Sequence, residues 1–172
     1  MDRTEDAVFQ QYGALPFSIA DDGTIRILLV TTRGRREWII PKGWPIRNLS
    51  PSATAAREAY EEAGLLGTMI SDDPIGSFRY AKQRNSRKET IHEVSVFLFA
   101  VERQLRKWPE KSERVTRWFV PEEASAAVAP EGLSALLLRS VDEVLRLSPG
   151  NPRIPYWSAD VRKNITATRS VR

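Results

Sequence analysis

The sequence predicts one α/β domain followed by a short basic tail, and three observations support this fold class. Segments rich in β-branched and aromatic residues recur as far as residue 120, separated by turn-forming residues. A short helix with clear start and stop signals interrupts them at residues 51–63. An amphipathic helix follows near the end, at residues 132–147. Mixed strands covered by two main helices make an α/β sandwich.

The strands are predicted from local composition. Seven segments have strand-like composition: 14–20, 24–32, 37–40, 65–70, 74–81, 90–102 and 115–120. The first two flank the turn Asp21-Asp22-Gly23 and indicate a hairpin. The run 90–102 is apolar on both faces, as in a strand that is covered on both sides. We interpret residues 82–88 as a polar basic loop.

Two helices are predicted in the last part of the domain. Residues 121–128 indicate a short helix that begins at a proline. Residues 132–147 indicate a longer helix with one apolar stripe. The stripe consists of Leu133, Leu136, Leu137, Val141, Val144 and Leu145.

The helix at residues 51–63 is bounded on both sides. Ser50 is a favourable N-cap, and Pro51 is favourable at the first helical position. Gly64 is the residue type that ends helices in the left-handed conformation. Before the helix, residues 41–45 form a loop in which glycine permits close backbone approach.

Three carboxylates of this helix face one way. At about 100° per residue, Glu58, Glu61 and Glu62 lie within one narrow arc. Like charges at this spacing destabilise a helix by roughly 0.2–0.5 kcal/mol per pair, and only Arg57 is adjacent to balance them. A hard divalent cation held by carboxylate oxygens would turn the repulsion into binding. The alternative interpretation is a solvated acidic face.

The composition restricts the metal chemistry. The chain has no Cys and a single His, His92, so thiolate and multi-His sites are excluded. The remaining ligands are oxygens, which favour Mg²⁺ or Mn²⁺. The absence of Cys is compatible with a reducing cytoplasm, which is the predicted location. We expect no secretory signal in the acidic N-terminal segment and no membrane-spanning helix.

A composition change at residue 148 predicts a domain at residues 1–147 and a loosely ordered tail at residues 148–172. The formal net charge is +4 and the pI is about 9.6. Residues 161–172 contain four basic residues and no acid. A basic pI raises nucleic acid as a partner, but a short solvated tail is the simpler explanation, so no nucleic-acid partner is predicted.

Residues 43–65 resemble the Nudix hydrolase box, G-x5-E-x7-R-E-U-x-E-E-x-G-U, in which U is a bulky apolar residue. The matching residues, in order and spacing, are Gly43, Arg57, Glu58, Glu61, Glu62, Gly64 and Leu65. Two positions depart from the box. Leu49 stands where the box has its first glutamate, and Ala59 is smaller than the usual apolar residue.

The resemblance implies an α/β/α sandwich with a mixed sheet and a loop-helix-loop catalytic motif. It implies hydrolysis of a phosphoanhydride by water with Mg²⁺, or Mn²⁺, as cofactor. Glu58, Glu61 and Glu62 would be metal ligands, or one of them the base, and Arg57 would hold a carboxylate in position.

Leu49 can neither hold the arginine nor add to the field at the metal. We therefore predict reduced metal affinity or a substitute carboxylate from elsewhere in the chain. Glu93 is a candidate for this substitute or for the general base, although a solvent-facing strand residue is the simpler interpretation. His92 is a weaker candidate for the base, since a lone histidine is usually structural.

The order of motifs outside the box resembles the diphosphoinositol polyphosphate phosphohydrolase branch and its bacterial relatives. The matching features are a Gly76-Ser77-Phe78 strand followed by basic residues, Trp108-Pro109-Glu110, and Arg117-Trp118-Phe119. This branch implies small-molecule substrates with crowded phosphates, either diadenosine polyphosphates or diphosphoinositol polyphosphates.

Basic residues on two segments are candidates for substrate binding, because Arg and Lys suit phosphate recognition. The candidates, together with the glycine of the motif loop, are Arg33, Arg35, Arg36, Lys42, Gly43, Arg84 and Lys88. The alternative is that these residues lie in solvated turns on an exposed surface.

Two other functions remain open from the sequence. The missing carboxylate at Leu49 is compatible with a weakened Nudix domain that binds a phosphorylated metabolite. The basic tail is compatible with an RNA 5′-pyrophosphohydrolase.

Overall fold

A computed structural model describes residues 7–85, 88–151 and 154. The described residues form eight strands: β1 Val8–Ile19, β2 Ile25–Thr31, β3 Trp38–Ile39, β4 Lys42–Gly43, β5 Leu65–Met69, β6 Gly76–Asn85, β7 Lys88–Gln104 and β8 Thr116–Phe119. They also form three helices: α1 Pro51–Ala63, α2 Pro121–Ala127 and α3 Glu131–Leu147.

All eight strands belong to one mixed sheet. Its central path runs β3-β2-β1-β7-β5, while β4 pairs with β1, β6 with β7 and β8 with β2. β1 and β7 are parallel, and the other pairings are antiparallel. The predicted hairpin of β1 and β2 is confirmed.

The helices cover the sheet and enclose the core. α1 packs against β1, β5 and β7, and α2 and α3 pack against each other and against β2 and β6. The core consists mainly of branched aliphatic and phenylalanine side chains from β1, β2 and β7 together with Leu133, Leu136 and Leu137 of α3. The predicted α/β sandwich with a mixed sheet is confirmed. None of the helices in the described residues is long and apolar enough to span a membrane.

The structure corrects two strand predictions. β1 begins at Val8, not at residue 14, because its polar first half pairs with β7 and the Gln11 amide oxygen accepts a hydrogen bond from the Tyr80 hydroxyl. The predicted basic loop at residues 82–88 is wrong in its described part. β6 and β7 continue pairing as far as Asn85 and Lys88, because cross-strand hydrogen bonding overrides polar composition.

The helical predictions hold with one difference. Val141 and Leu145 of the predicted apolar stripe are only half-buried, whereas Ser140 is buried. Its hydroxyl donates to the Leu137 carbonyl oxygen at 2.7 Å, so the buried polar group is satisfied.

α3 ends at Leu147, and the domain boundary at that residue stays a prediction. Ser148 and Ile154 are both buried. The other residues beyond Asn151 lie outside the described part, so the loosely ordered tail stays a prediction.

Candidate active site

The predicted caps place α1 as the sequence indicates. The Ser50 side chain accepts a hydrogen bond from the Ala53 N–H at 3.2 Å, and Pro51 begins the helix. Gly64 has a φ of 66° and ends it. Ala59 and Ala63 are fully buried against the sheet, whereas Glu58 and Glu61 are only half-buried.

Gly43 allows the Glu58 carboxylate to lie directly against the main chain of β4. A Cβ atom at residue 43 would lie 2.1 Å from Glu58 Oε1 and 2.3 Å from its carboxyl carbon. Any larger residue would therefore displace Glu58. β4 is itself held by antiparallel pairing with β1, at Tyr12 and Gly13.

Glu62 is the buried carboxylate of the site. Its Oε1 accepts from Arg114 Nη2 at 2.8 Å, and its Oε2 accepts from the Lys42 N–H at 3.4 Å. The side chains of Glu62 and Arg114 are only 6% and 8% exposed. Burial raises the pKa of Glu62, and the charges of Arg114 and Lys42 oppose the rise and favour the carboxylate.

Arg114 belongs to a segment that holds the end of α1, residues 104–114, which we call the clasp. The last carbonyl groups of a helix lack partners within the helix. Here Glu110 N–H donates to the Glu61 carbonyl at 3.0 Å, Trp108 Nε1 to the Glu62 carbonyl at 3.1 Å, and Gln104 Nε2 to the Ala63 carbonyl at 2.9 Å. The clasp therefore fixes the part of α1 that carries Glu61 and Glu62.

Arg114 also ties the clasp to the sheet. Its Nε donates to Glu110 Oε2 at 2.5 Å, and its Nη1 donates to the Thr31 carbonyl of β2 at 3.0 Å. The sequence interpretation gave the clasp no role because its residues are polar and lack a regular period. In the sequence, Trp108-Pro109-Glu110 contributes only to the family resemblance.

Glu110 adds a fourth carboxylate to the site. Burial raises the pKa of Glu58, and the charges of Glu61 and Glu110 raise it further. Burial lowers the pKa of Lys42, although Glu62 and Glu58 oppose this shift. Carboxylates and one buried ammonium group thus share a small volume beside Gly43.

Arg57 contacts the neighbouring carboxylate of α1. Its Nε lies 2.6 Å from Glu61 Oε1, and its guanidinium carbon lies 5.7 Å from the Tyr60 ring centroid. This is the carboxylate contact that the sequence suggested for Arg57, made by one nitrogen. The pair is largely exposed.

The other basic candidates divide into three cases. Arg33 is exposed and forms an ion pair with Glu113 of the clasp at 3.6 Å. Arg35 and Arg36 are exposed in the turn before β3. The side chains of Arg84 and Lys88 lie outside the described residues, so their roles stay predictions.

The residues considered as substitutes for the missing carboxylate lie in different places. Leu49 is 43% exposed in the loop before α1. Glu93 forms an ion pair with Arg79 at 3.4 Å across β6 and β7. Of the two carboxylates, Glu93 and Glu110, only Glu110 affects the pKa values of Glu58 and Glu62.

An aromatic cluster adjoins the acidic site on the other side of Gly43. It consists of Phe9, Trp44, Tyr80 and His92. The Tyr80 and His92 rings stack with centroids 5.1 Å apart, and Lys42 Nζ lies 4.9 Å from the Tyr80 centroid. Burial raises the pKa of Tyr80 to about 12. Lys42 thus joins the acidic and aromatic halves of the site.

The chemical type of the donor atoms in the site suits a hard cation, but the positions of the side chains suit it only in part. The donors beside Gly43 are carboxylate oxygens, which Mg²⁺ and Mn²⁺ prefer. Within the part of the chain that the structure describes, no three His, Cys, Asp or Glu side chains are placed together to hold one ion. Glu62 is bound to Arg114, so Glu58 and Glu61 are the members of the predicted trio that can hold a cation without breaking that pair.

Comparison with known proteins decides the family. The NUDIX domain model matches residues 13–138, which include β4, α1 and the clasp. The chain belongs to the NUDIX domain family. The superfamily resemblance seen in the sequence is thereby confirmed.

Relatives and solved structures agree with this assignment. The chain is 32% identical over 100 residues to Nudix hydrolase 4 of Arabidopsis thaliana, covering 58% of this chain and 46% of the relative. It is also 32% identical over 100 residues to diphosphoinositol polyphosphate phosphohydrolase 3-alpha of Mus musculus, covering 57% and 56%. The chain thus spans about half the length of these two curated relatives.

The fold also matches a solved structure. The C. elegans Ap4A hydrolase superposes with a TM-score of 0.59 at 19% identity, covering 81% of this chain and 99% of that chain. At this identity the likeness establishes the fold alone.

Proposed function

We propose that this chain is a divalent-metal-dependent Nudix pyrophosphohydrolase, which hydrolyses a phosphoanhydride bond in a small polyphosphate substrate. The observation that carries the proposal is that Glu58 lies against Gly43 while Glu62 accepts from the Lys42 N–H, with the clasp fixing the end of α1 that carries Glu61 and Glu62. The names of the relatives, which are Nudix hydrolases, support the same activity.

Glu58 and Glu61 would hold the divalent ion, which when bound neutralises phosphate charge and activates water. We favour Mg²⁺, with Mn²⁺ as the alternative. Glu62 is held in a fixed orientation by Arg114 and the Lys42 N–H, so it maintains a carboxylate at the edge of this site. Arg57 restricts Glu61, and Gly43 leaves room for Glu58.

Basic residues would supply the cations that a polyphosphate requires. The Lys42 ammonium lies between the carboxylates and Tyr80, and Lys82 is close enough to lower the pKa of Lys42. Arg33, Arg84 and Lys88 are further candidates. The substrate class is a polyphosphate of the kinds named in the relatives, diadenosine or diphosphoinositol polyphosphates. A cytoplasmic location is proposed on composition alone.

The test is a phosphate-release screen with Mg²⁺ and with Mn²⁺. The substrates are diadenosine polyphosphates, nucleoside triphosphates, nucleotide sugars and a diphosphoinositol polyphosphate. We expect metal-dependent turnover of at least one of them, and we expect Glu58→Gln and Glu61→Gln each to reduce it at least roughly tenfold.

Glu122→Gln is the matched control, because Glu122 is an exposed carboxylate on α2, away from the site. It should leave the rate unchanged. Full activity of both Glu58→Gln and Glu61→Gln would contradict the proposed metal site.

A second candidate function rests on Leu49, which places an apolar side chain where the box has a carboxylate. A domain with weakened metal binding would bind a phosphorylated metabolite without releasing phosphate. Titration calorimetry that detects binding of a substrate from the screen, with no turnover under either metal, would favour this function.

A further inference from the structure

The aromatic cluster lies immediately beside the acidic site. Trp44 follows Gly43, whose main chain contacts the Glu58 carboxylate. His92 and Phe9 are paired in register on β7 and β1, and Tyr80 lies opposite His92 on β6. These rings are therefore within reach of a substrate whose phosphates occupy the acidic site.

Trp44 presents an open aromatic surface. Its side chain is 51% exposed, the highest value among the large hydrophobic residues of the described chain. The Phe9 and His92 rings approach it at centroid distances of 5.7 and 5.4 Å and at interplanar angles of 83° and 64°. Neither neighbour stacks on the indole, so both hold Trp44 in place and leave it able to stack on another ring.

His92 supplies a second and independent observation. It is only 4% exposed, and its Nε2 is hydrogen-bonded to Thr90 Oγ1 at 3.1 Å. Its Nδ1 is buried and has no hydrogen-bond partner. Buried polar atoms are normally satisfied, so the unpaired ring nitrogen marks a polar position next to the exposed indole that a water molecule or a ligand atom would satisfy.

We propose that Trp44, supported by Phe9 and His92, stacks the base of a nucleoside polyphosphate whose phosphates lie at the acidic site. The chain would then select nucleoside-linked substrates over diphosphoinositol polyphosphates. This inference rests on the proposed function for the position of the phosphates. Bases stack on aromatic side chains in a sequence-tolerant way because each base has a π-face.

The chemistry of the cluster favours a base over an inositol ring. A diphosphoinositol polyphosphate carries phosphates around a saturated ring, so it requires cations on several sides. The described cluster offers four aromatic rings, with the ammonium groups of Lys42 and Lys82 beside it. A flat heteroaromatic ring with hydrogen-bonding edges matches this surface better.

The experiment measures binding separately from turnover. Titration calorimetry with Mg²⁺ compares ADP with inorganic pyrophosphate, which lacks a base, in the wild type, Trp44→Ala and Trp44→Phe. We expect Trp44→Ala to weaken ADP binding about tenfold, Trp44→Phe to retain most of it, and neither change to affect pyrophosphate.

Leu138→Ala is the matched control, because Leu138 is an apolar side chain on α3 with a similar exposure, 48%. It should leave both affinities unchanged. Thermal melts of each variant identify any loss of folding, and Trp44→Phe keeps the test valid if the alanine variant unfolds.

Kinetics give a second measurement. With a diadenosine polyphosphate as substrate, Trp44→Ala should raise KM about tenfold with little change in kcat. The KM for a diphosphoinositol polyphosphate, if it is turned over at all, should not change.

The outcomes separate the two proposals. ADP binding that depends on Trp44 in a protein without turnover supports the stacking surface and contradicts the proposed hydrolase activity. Turnover with an ADP affinity unaffected by Trp44→Ala overturns the stacking surface alone. Absence of ADP binding to the wild type, or equal weakening of ADP and pyrophosphate, also overturns it.

Discussion

His92, a single residue of the aromatic cluster, makes the stability of the fold depend on pH. Burial, together with the charges of Lys82 and Lys42, lowers its pKa below the ordinary value of 6.5. The folded protein therefore resists protonating this ring, whereas the unfolded chain takes up the proton near pH 6.5.

We predict that His92 makes the protein less stable as the pH falls below about 6.5. The slope due to His92 cannot exceed about 1.4 kcal/mol per pH unit. Urea unfolding in chelator-containing buffers from pH 7.5 to pH 5.5 measures it, with His92→Gln as the comparison.

The difference in pH dependence between the wild type and His92→Gln is due to His92, which is the single histidine of the sequence. Glu62 has the opposite effect, because its raised pKa favours the folded state at lower pH, and it is present in both proteins. Equal pH dependence in both proteins would show that His92 accepts a proton freely in the folded state.

Among the elements of the fold, α1 is held in position by the clasp, a polar segment outside the helices. Its three hydrogen bonds to the last carbonyls of α1 replace partners that the helix lacks. The Arg114–Glu62 ion pair at its centre is nearly inaccessible to solvent. Removing one partner from such a pair leaves an uncompensated buried charge.

We predict that Arg114→Met lowers the free energy of unfolding by about 3–5 kcal/mol. Combining it with Glu62→Gln should cost less than the sum of the two single changes, because the double variant buries no unpaired charge. Urea denaturation of the four proteins measures this coupling.

Arg146→Met is the control for Arg114→Met. Arg146 forms a comparable ion pair with Glu143 on α3, but its side chain is 65% exposed, so its loss should cost much less stability than the loss of Arg114. Similar costs for the two substitutions would contradict the assigned role of the clasp.

Some elements are predictable from the sequence and others are not. The difference depends on whether the residues that define an element are close together or distant in sequence. Both ends of α1 are predictable because Ser50, Pro51 and Gly64 act through neighbouring residues. The carboxylate arc follows from helical spacing alone. The start of β1 and the clasp depend on partners that are distant in sequence, as the bond from Tyr80 to Gln11 and the pair of Arg114 and Glu62 show.

The acidic site is also predictable only in the part that local spacing defines. Glu58, Glu61 and Glu62 were identified from spacing, but their different environments were not. Burial of Glu62 requires Arg114, which is 52 positions away, and no periodicity in the sequence connects the two. For the same reason, the sequence suggests Glu93, and not Glu110, as the substitute for the carboxylate missing at Leu49.

At the scale of the whole molecule, β7 is the strand on which the sheet depends. It pairs with β1 on one side, and with β6 and β5 on the other. Its residues from Val94 to Ala100 are almost all buried. In contrast, the far ends of β6 and β7, near Lys82 and Glu89, are exposed.

We predict a corresponding gradient in amide hydrogen exchange. The amides of Phe97 and Leu98 should exchange only through global unfolding, while those of Lys82, Gln83 and Glu89 should exchange through local opening. Native-state exchange with increasing urea measures both. Equal protection in the two regions would contradict the central role of β7.

The parallel pairing of β1 with β7 also affects how the protein is made. Phe9 pairs with His92, so β1, the first of the described strands to be synthesised, can complete its pairing only after β7 has been made. Folding rates fall as contacting residues become more distant in sequence. On the ribosome, α1 and its carboxylates would emerge before β7 and the clasp. The acidic helix should therefore acquire its fixed geometry late, after most of the domain has left the exit tunnel.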